Sequence, residues 1–244
     1  MQRLIELEGA VNFRDLGGYD TLDGRRTRWR VLFRADGLGE LSETDLGVMR
    51  QLGIRTVIDL RSGDELERSR FNVDAHPVSF HHFPFIDELP DADSWDQRPG
   101  LLGSQYKEML DEATPQIVSA LAALVAPGAF PAVFHCTAGK DRTGLLSAIV
   151  LSLAGVPEST VVADYALSGE AMERLREKLI RKYPDGKDVI SGLDEVFSAD
   201  PSNMIGLFEH LHERYGSMED YAWEIGVTRD TVNQLRVLLL EPST

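Results

Sequence analysis

Short apolar β-type runs and longer segments with helical spacing alternate along this chain. In the first half, an Asp23-Gly24 turn signal predicts a β-hairpin whose returning strand covers residues 29–34. A helix is predicted over 42–52, and strands are predicted over 54–60 and 76–85. These elements place several apolar strands early in the chain.

The second half contains one more strand and is otherwise mostly helical. A helix is predicted over 104–126 with a break at Pro115, followed by a strand over 132–134 and a helix over 145–154. From residue 157 onward the pattern is helical, with breaks near 184–186, 200–201, 216 and 226. Strands that alternate with helices predict an α/β fold with a mostly parallel sheet and helices on both faces. We expect a single domain over residues 1–244, with a helical C-terminal region over 157–244.

Composition and charge narrow the class of protein. The chain has 244 residues, 43% of them hydrophobic, and a formal net charge of −15, which disfavours nucleic acid and anionic membranes as partners. No run approaches the roughly 18 apolar residues of a membrane span. Acidic residues near the N-terminus argue against Sec-type export, and a single cysteine fits a reducing compartment. We therefore expect a cytoplasmic location without integral membrane association, leaving non-Sec secretion open.

The segment 135–144, with the sequence HCTAGKDRTG, contains the single cysteine, Cys136, and an arginine six positions later, Arg142. A β-type run precedes the segment and a helix-type run follows it. A strand, a tight loop and a helix N-terminus in this order form an anion cradle, because loop N–H groups and the helix dipole point to one place. The same field favours a thiolate at Cys136. The planar guanidinium of Arg142 can bind two oxygens of a phosphoryl group.

The spacing of Cys136 and Arg142 resembles the signature of the protein tyrosine phosphatase superfamily, and HCTAGKDRTG is similar to its atypical bacterial branch, tyrosine phosphatase family 3. Further matching stretches lie at 12–19, 57–62, 215–221 and 226–235, in the expected order. The resemblance spans nearly the whole chain. It implies a phosphatase-type central sheet and a cysteine-dependent phosphomonoester hydrolase that acts on phosphotyrosine.

Each residue of the motif has an expected role. Cys136 attacks phosphorus to give a phosphocysteine intermediate, and Arg142 with the loop amides stabilises the phosphoryl oxygens. Thr143 is expected to hydrogen-bond the sulfur or to satisfy N–H groups at the helix start, and His135 to order the loop. The expected phosphate-binding residues are Thr137, Ala138, Gly139, Lys140, Asp141, Arg142 and Thr143. Inorganic phosphate is the expected product ligand.

Two carboxylic acids are candidates for the group that protonates the leaving oxygen. Asp87 is the first choice, because it follows the strand-type run 80–86, and in the wider superfamily the acid lies on a loop after such an element. Asp141 is the rival, because it lies inside the motif beside Arg142; its alternative role is to orient that arginine or a backbone amide.

Lys140 resembles the loop lysine of 3-phosphoinositide phosphatases, where it adds a point charge for a ring with several phosphates. We therefore expect activity on phosphoinositides as well, the alternative being a solvated surface lysine. The resemblance also implies a helical lid over the pocket, placed at about 87–115. It further implies that Arg14, Asp15, Asp59 and Arg61 support loops around the pocket; surface ion pairs are the alternative.

No metal or other cofactor is expected, because Cys136 and Arg142 supply a nucleophile and a positive charge without one. The histidine pairs at 81–82 and 210–212 also fail to converge at their spacings.

Other classes of protein remain possible. The segment 221–236 imitates a helix-turn-helix of a DNA-binding regulator, although its second helix offers only Arg229 and Arg236 to phosphates. A catalytically silent phosphate-binding module and a sulfur transferase with a loop cysteine are the remaining alternatives.

Overall fold

The computed structural model describes residues 1–86 and 101–242 of the chain. Within these residues the strands form a five-stranded sheet in the order β1-β2-β5-β3-β4, and only β1 runs antiparallel to its neighbour. The predicted mostly parallel α/β sheet is confirmed. The strands are β1 Arg14–Asp15, β2 Leu32–Ala35, β3 Thr56–Asp59, β4 Ser79–His82 and β5 Ala132–His135.

Helices account for most of the remaining described residues, and none of them is both long and apolar enough to cross a bilayer. They are α1 Glu43–Leu52, α2 Gly63–Arg68, α3 Leu101–Glu112, α4 Thr114–Val125, α5 Asp141–Leu153, α6 Glu158–Ala166, α7 Ser168–Lys182, α8 Lys187–Ser191, α9 Pro201–Tyr215, α10 Met218–Glu224 and α11 Arg229–Leu239, with a 3-10 turn at Pro184–Gly186. The predicted breaks near 115, 184, 201, 216 and 226 are confirmed. Helix α2 is absent from the prediction.

The three central strands β2, β5 and β3 are buried on both faces. Because side chains alternate along a strand, Val57 and Val133 face one side, where they pack with α1, whereas Ile58 and Phe134 face the other side. The second side carries the larger core, which includes residues of α3 to α6 and α9 to α11.

Strand β5 lies in the middle of the sheet and brings the cysteine motif to one edge. His135, its last residue, pairs with Ala35 of β2 and with Asp59 of β3. The carboxyl ends of these three parallel strands therefore lie together. Ligands in open parallel sheets bind at this edge, so the fold places Cys136 where a site is expected.

The predicted hairpin turn at Asp23-Gly24 is present, closed by an antiparallel bridge between Asp20 and Arg26 and by backbone hydrogen bonds on either side of it. The returning strand predicted over 29–34 is wrong in its bounds, because residues 29–31 form a turn and the strand that begins at Leu32 pairs with β1. The reason is that Asp15 Oδ2 accepts the backbone N–H of Arg30 at 2.8 Å, which takes this group away from a strand ladder.

The helix-turn-helix-like segment 221–236 packs into the hydrophobic core. Helix α11 packs against α4 and buries Val232, Leu235 and Leu239. Its arginines are engaged within the chain, since Arg229 lies over the ring of Trp223 and Arg236 donates to the carbonyl of Leu153. This segment therefore offers little to a nucleic acid.

Candidate active site

The loop between β5 and α5, residues 136–140 (the cysteine loop), presents a row of backbone donors. Cys136 is buried, at 2% exposure, directly after the strand. Within residues 1–86 and 101–242, none of the backbone N–H groups of 137–143 donates a hydrogen bond. Such a row at a helix N-terminus binds an anion, because the donors and the helix dipole act in the same direction.

Gly139 lets the loop approach the end of β2. Its φ is +67°, and a Cβ added there would lie 2.6 Å from the carbonyl carbon and oxygen of Ala35. The backbone N–H of Gly37 also donates to Thr137 O at 3.1 Å. Only glycine combines this left-handed conformation with this close approach, so the loop shape depends on it.

Arg142 is held by Glu65 of α2. Its Nη1 lies 2.5 Å from Glu65 Oε2 and its Nη2 lies 3.0 Å from Oε1. Thr137 Oγ1 also donates to Glu65 Oε1. Burial acts to raise the pKa of Glu65, but the bonds and charge of Arg142 lower it to about 2. Burial likewise opposes the charge of Arg142, yet Cys136 and Glu65 raise its pKa above the ordinary value. The guanidinium is therefore fixed beside the cysteine in its charged form.

Glu65 was not among the predicted site residues, although the sequence contains a signal for it. Ser62 followed by Glu65 three positions later is the pattern of a capping box, and both reciprocal bonds are present at the start of α2. Ser62 N donates to Glu65 Oε2 at 2.9 Å. The same carboxylate thus caps a helix and holds Arg142.

Asn12 and Arg34 bind the outer side of the cysteine loop. Asn12 Nδ2 donates to Ala138 O at 3.0 Å and to Gly139 O at 3.1 Å, and Arg34 Nη2 donates to Gly139 O at 2.7 Å. With their carbonyls held from outside, these peptide groups can direct their N–H groups toward the opposite side. Both residues are buried, and neither was predicted.

Asp164 of α6 connects the two arginines behind the loop. It lies 3.2 Å from Arg14 Nε and 2.7 Å from Arg34 Nη1. Burial acts to raise the pKa of Asp164, but Arg14 and Arg34 hold it far below its usual range. Burial and the nearby Arg14 lower the pKa of Arg34 to about 10. Arg14 also donates to Asn12 Oδ1, so it reaches the loop through Asn12.

Asp36 fixes the backbone that carries Asn12. Its carboxylate accepts the N–H groups of Val11 at 3.0 Å and of Asn12 at 2.9 Å. Burial raises the pKa of Asp36 to about 6, against the lowering effect of these two hydrogen bonds.

The other predicted supporting residues are buried, so the alternative of surface ion pairs is wrong. Arg61 binds Asp59 at 2.7 Å, and His135 Nε2 lies 3.5 Å from Asp59 Oδ2 without a hydrogen bond. His135 Nδ1 lies 3.3 Å from Cys136 O, and burial lowers the pKa of this histidine. Asp15 lies apart from the loop, where it accepts the N–H groups of Gly17 and Arg30.

Asp141, the first residue of α5, contacts a tyrosine of α3. Tyr106 donates its hydroxyl proton to Asp141 Oδ1 and lies 2.7 Å from the hydroxyl of Tyr165. The side chain of Asp141 is 29% exposed. Asp87 lies outside the described residues, as does the part of the expected lid before residue 101. Residues 101–115 of that lid form α3 and the start of α4.

Lys140 is fully buried, so the alternative of a solvated surface lysine is wrong. Its Nζ donates to Val196 O at 2.6 Å and to Ser198 O at 2.8 Å, and it lies 3.5 Å from Asp141 Oδ1. The lysine therefore joins the cysteine loop to the segment before α9.

Thr143 is buried, and within the described part of the chain its Oγ1 makes no hydrogen bond. Neither of its two expected contacts, to the sulfur or to a helix-start N–H, is present in this structure. Of possible metal sites, the described ranges contain no group of three or more histidine, cysteine or acidic side chains that could hold an ion.

A mostly parallel sheet whose central strand delivers a cysteine, a row of free amides and a fixed arginine defines a phosphatase. The model of the tyrosine phosphatase family matches residues 5–241. The chain belongs to this family, and it is a protein tyrosine phosphatase.

Two relatives in sequence agree with this assignment. The chain is similar to the triple specificity protein phosphatase PtpB of Mycobacterium tuberculosis, with 29% identity over 96% of this chain and 98% of that protein. It is also similar to the tyrosine-protein phosphatase of Nostoc commune, with 30% identity over 84% of this chain and 73% of that protein. Among solved structures, TpbA of P. aeruginosa matches with a TM-score of 0.37 and 17% identity over 58% of this chain and 70% of that one.

Proposed function

We propose that the protein hydrolyses phosphomonoesters through a phosphocysteine intermediate, with phosphotyrosine and phosphoinositides as substrates. The observation that carries the proposal is the set of free N–H groups at 137–143 beside Cys136 and the Glu65-held Arg142. These groups supply donors for the phosphoryl oxygens. The protein is proposed to work as one domain, in a reducing, cytoplasmic compartment that keeps Cys136 a free thiol.

The first chemical step transfers the phosphoryl group to sulfur. The Cys136 thiolate forms an S–P bond while the P–O bond to the leaving group breaks, and a carboxylic acid gives its proton to the leaving oxygen. In the second step, water attacks phosphorus, the S–P bond breaks, and the carboxylate takes a proton from that water. The products are the alcohol or phenol and inorganic phosphate, and the thiolate is regenerated.

The described structure supports Asp141 as the proton donor, because its side chain is partly exposed and lies one position before Arg142. Asp87, the first choice from the sequence, lies outside the described residues and stays a candidate, and the two acids are separated by experiment below.

Two features favour testing a substrate range wider than phosphotyrosine. Lys140 places a second cation in the loop, and a second phosphate on the substrate can bind this cation only if its ammonium leaves the carbonyls of Val196 and Ser198. The mycobacterial relative is named a triple specificity phosphatase, which is a property of that protein and supports testing more than one class of substrate here.

The central test is turnover of p-nitrophenyl phosphate by the wild type and by Cys136→Ser, with Lys187→Ala as an exposed control. We expect loss of turnover in Cys136→Ser only, with retained binding of inorganic phosphate. Equal turnover in both variants contradicts the nucleophile, and phosphate binding without any wild-type turnover indicates a silent phosphate-binding module. Thiosulfate turnover indicates sulfur transfer instead.

Substrate class is tested with a panel of phosphotyrosine peptides, phosphoserine peptides and inositol lipids. We expect turnover of the first and the last. A chain that cleaves phosphotyrosine but none of the inositol lipids leaves the hydrolase proposal intact and removes its lipid part.

A further inference from the structure

Tyr106 is the one described tyrosine whose hydroxyl contacts the proposed general acid. It is fully buried on α3, 35 residues before Asp141 in the sequence, and donates to Asp141 Oδ1. We propose that Tyr106 is a positioning residue for catalysis, which fixes Oδ1 of Asp141 and leaves Oδ2 to the leaving oxygen of the substrate. This inference rests on the proposed function of Asp141 as proton donor.

The tyrosine is itself firmly placed. Its ring meets that of Tyr165 edge-to-face, at 6.0 Å between centroids and 88° between planes, and the two hydroxyls lie 2.7 Å apart. Burial, followed by the negative charge of Asp141, raises the pKa of Tyr106 well above its ordinary value. The phenol therefore keeps its proton at neutral pH and acts as a hydrogen-bond donor.

The two oxygens of Asp141 have different surroundings. Oδ1 receives the Tyr106 hydroxyl and lies 3.5 Å from Lys140 Nζ, whereas no described residue donates to Oδ2. A carboxylate at the start of a helix otherwise turns freely about its last torsion angle. Because a proton donor works only when held close to the leaving oxygen, fixing this torsion adds to the rate without a contact to substrate.

The test uses Tyr106→Phe, which removes the hydroxyl and keeps the ring. Its matched control is Tyr221→Phe: Tyr221 is equally buried and donates to Leu110 O of the same helix α3, not to Asp141. For each variant kcat/KM is measured with aryl phosphates whose leaving phenols span weak to strong acids. The parameter kcat/KM reports the P–O cleavage step, and thermal melting checks the fold.

We expect Tyr106→Phe to lose about tenfold in kcat/KM for phenyl phosphate and less than about twofold for p-nitrophenyl phosphate. A poor leaving group needs the proton, whereas an activated one leaves without it. Asp141→Asn is expected to show the same dependence on the leaving group with a larger loss of kcat/KM. In the Asp141→Asn background, Tyr106→Phe is expected to cause no further loss of kcat/KM. Tyr221→Phe is expected to show no dependence on the leaving group.

Equal losses of Tyr106→Phe across all leaving groups, or full additivity with Asp141→Asn, overturn the positioning role. Tyr165→Phe loosens the Tyr106 hydroxyl without removing it; it is expected to show the same trend at smaller size and replaces Tyr106→Phe if that variant does not fold. An Asp141→Asn variant with unchanged leaving-group dependence overturns both the acid assignment and this inference. Turnover that survives Cys136→Ser separately shows failure of the proposed function.

Discussion

Both carboxylate oxygens of Glu65 bind Arg142, one to each terminal nitrogen of the guanidinium. The pair is nearly buried, and Glu65 is also fixed by Ser62 and Thr137. Because Glu65 binds the planar guanidinium of Arg142 from one side, the guanidinium keeps a single orientation. Its remaining N–H groups are therefore oriented before substrate binds. A helix-capping carboxylate thereby prepares the anion clamp.

Glu65→Gln is expected to lower kcat/KM for phosphotyrosine by about 10- to 100-fold, because the amide keeps only one acceptor for the guanidinium. It is also expected to lower the free energy of unfolding by about 1–3 kcal/mol. Steady-state kinetics and denaturant melts provide the measurements. Glu67→Gln, an exposed change on the same helix, is the control, and equal effects of the two variants contradict the clamp.

Gly139→Ala is expected to abolish most turnover and to destabilise the fold by about 2 kcal/mol or more, since its Cβ meets the backbone of Ala35 at a positive φ. Gly47→Ala, in α1, adds a Cβ that meets nothing within 4 Å. It is expected to gain about 0.5–1 kcal/mol with unchanged kinetics. Thermal melts and p-nitrophenyl phosphate turnover compare the two, and an active Gly139→Ala variant refutes the close-approach argument.

Lys140→Met keeps the buried stem and removes the ammonium that binds Val196 O and Ser198 O. We expect a loss of about 1–3 kcal/mol in stability and a loss of phosphoinositide turnover about fivefold greater than that of phosphotyrosine turnover. Turnover of both substrates is measured beside the exposed control Lys187→Ala. If turnover of both substrates falls by the same factor, Lys140 has no special role in substrate choice.

Asp36 predicts a pH dependence of stability. Its pKa is about 6 in the fold and 3.8 ordinarily, so between these values the native chain holds a proton that the unfolded chain releases. The Asp36 contribution to the free energy of unfolding therefore falls as the pH rises from about 4 to about 6, by on the order of 2 kcal/mol. Asp36→Asn, compared with exposed Asp64→Asn in denaturant melts across this range, is expected to remove that fall. Identical curves for the two variants contradict the prediction.

Asp141→Asn and Asp87→Asn distinguish the two candidate acids. We expect Asp141→Asn to lower kcat/KM for phosphotyrosine by about 100-fold and to remove the high-pH limb of its pH profile, because that limb reports loss of the donor proton. Asp87→Asn is expected to leave the profile unchanged. The reverse outcome assigns the acid to Asp87.

The bounds of many helices were predictable from the sequence, because caps and breaks formed by neighbouring residues set them. The Ser42 cap and Gly53 stop set the bounds of α1, and glycine and proline breaks set those of the C-terminal helices. The strand, loop and helix around Cys136 likewise follow from ten adjacent residues. The departure at residues 29–31 has a distant cause, the carboxylate of Asp15.

The sequence by itself therefore determined the α/β class, the order of the elements apart from α2, and the motif that carries Cys136 and Arg142. Each of these depends on residue types and spacings within short segments of the chain. Only the tertiary structure decided which groups hold them: Glu65 lies 77 positions from Arg142, and Asn12 lies 126 from Ala138. It also buried Lys140 against Val196 and brought Tyr106 to Asp141. Such contacts depend on how the helices pack on the sheet, and this packing cannot be predicted from the periodicity of the sequence.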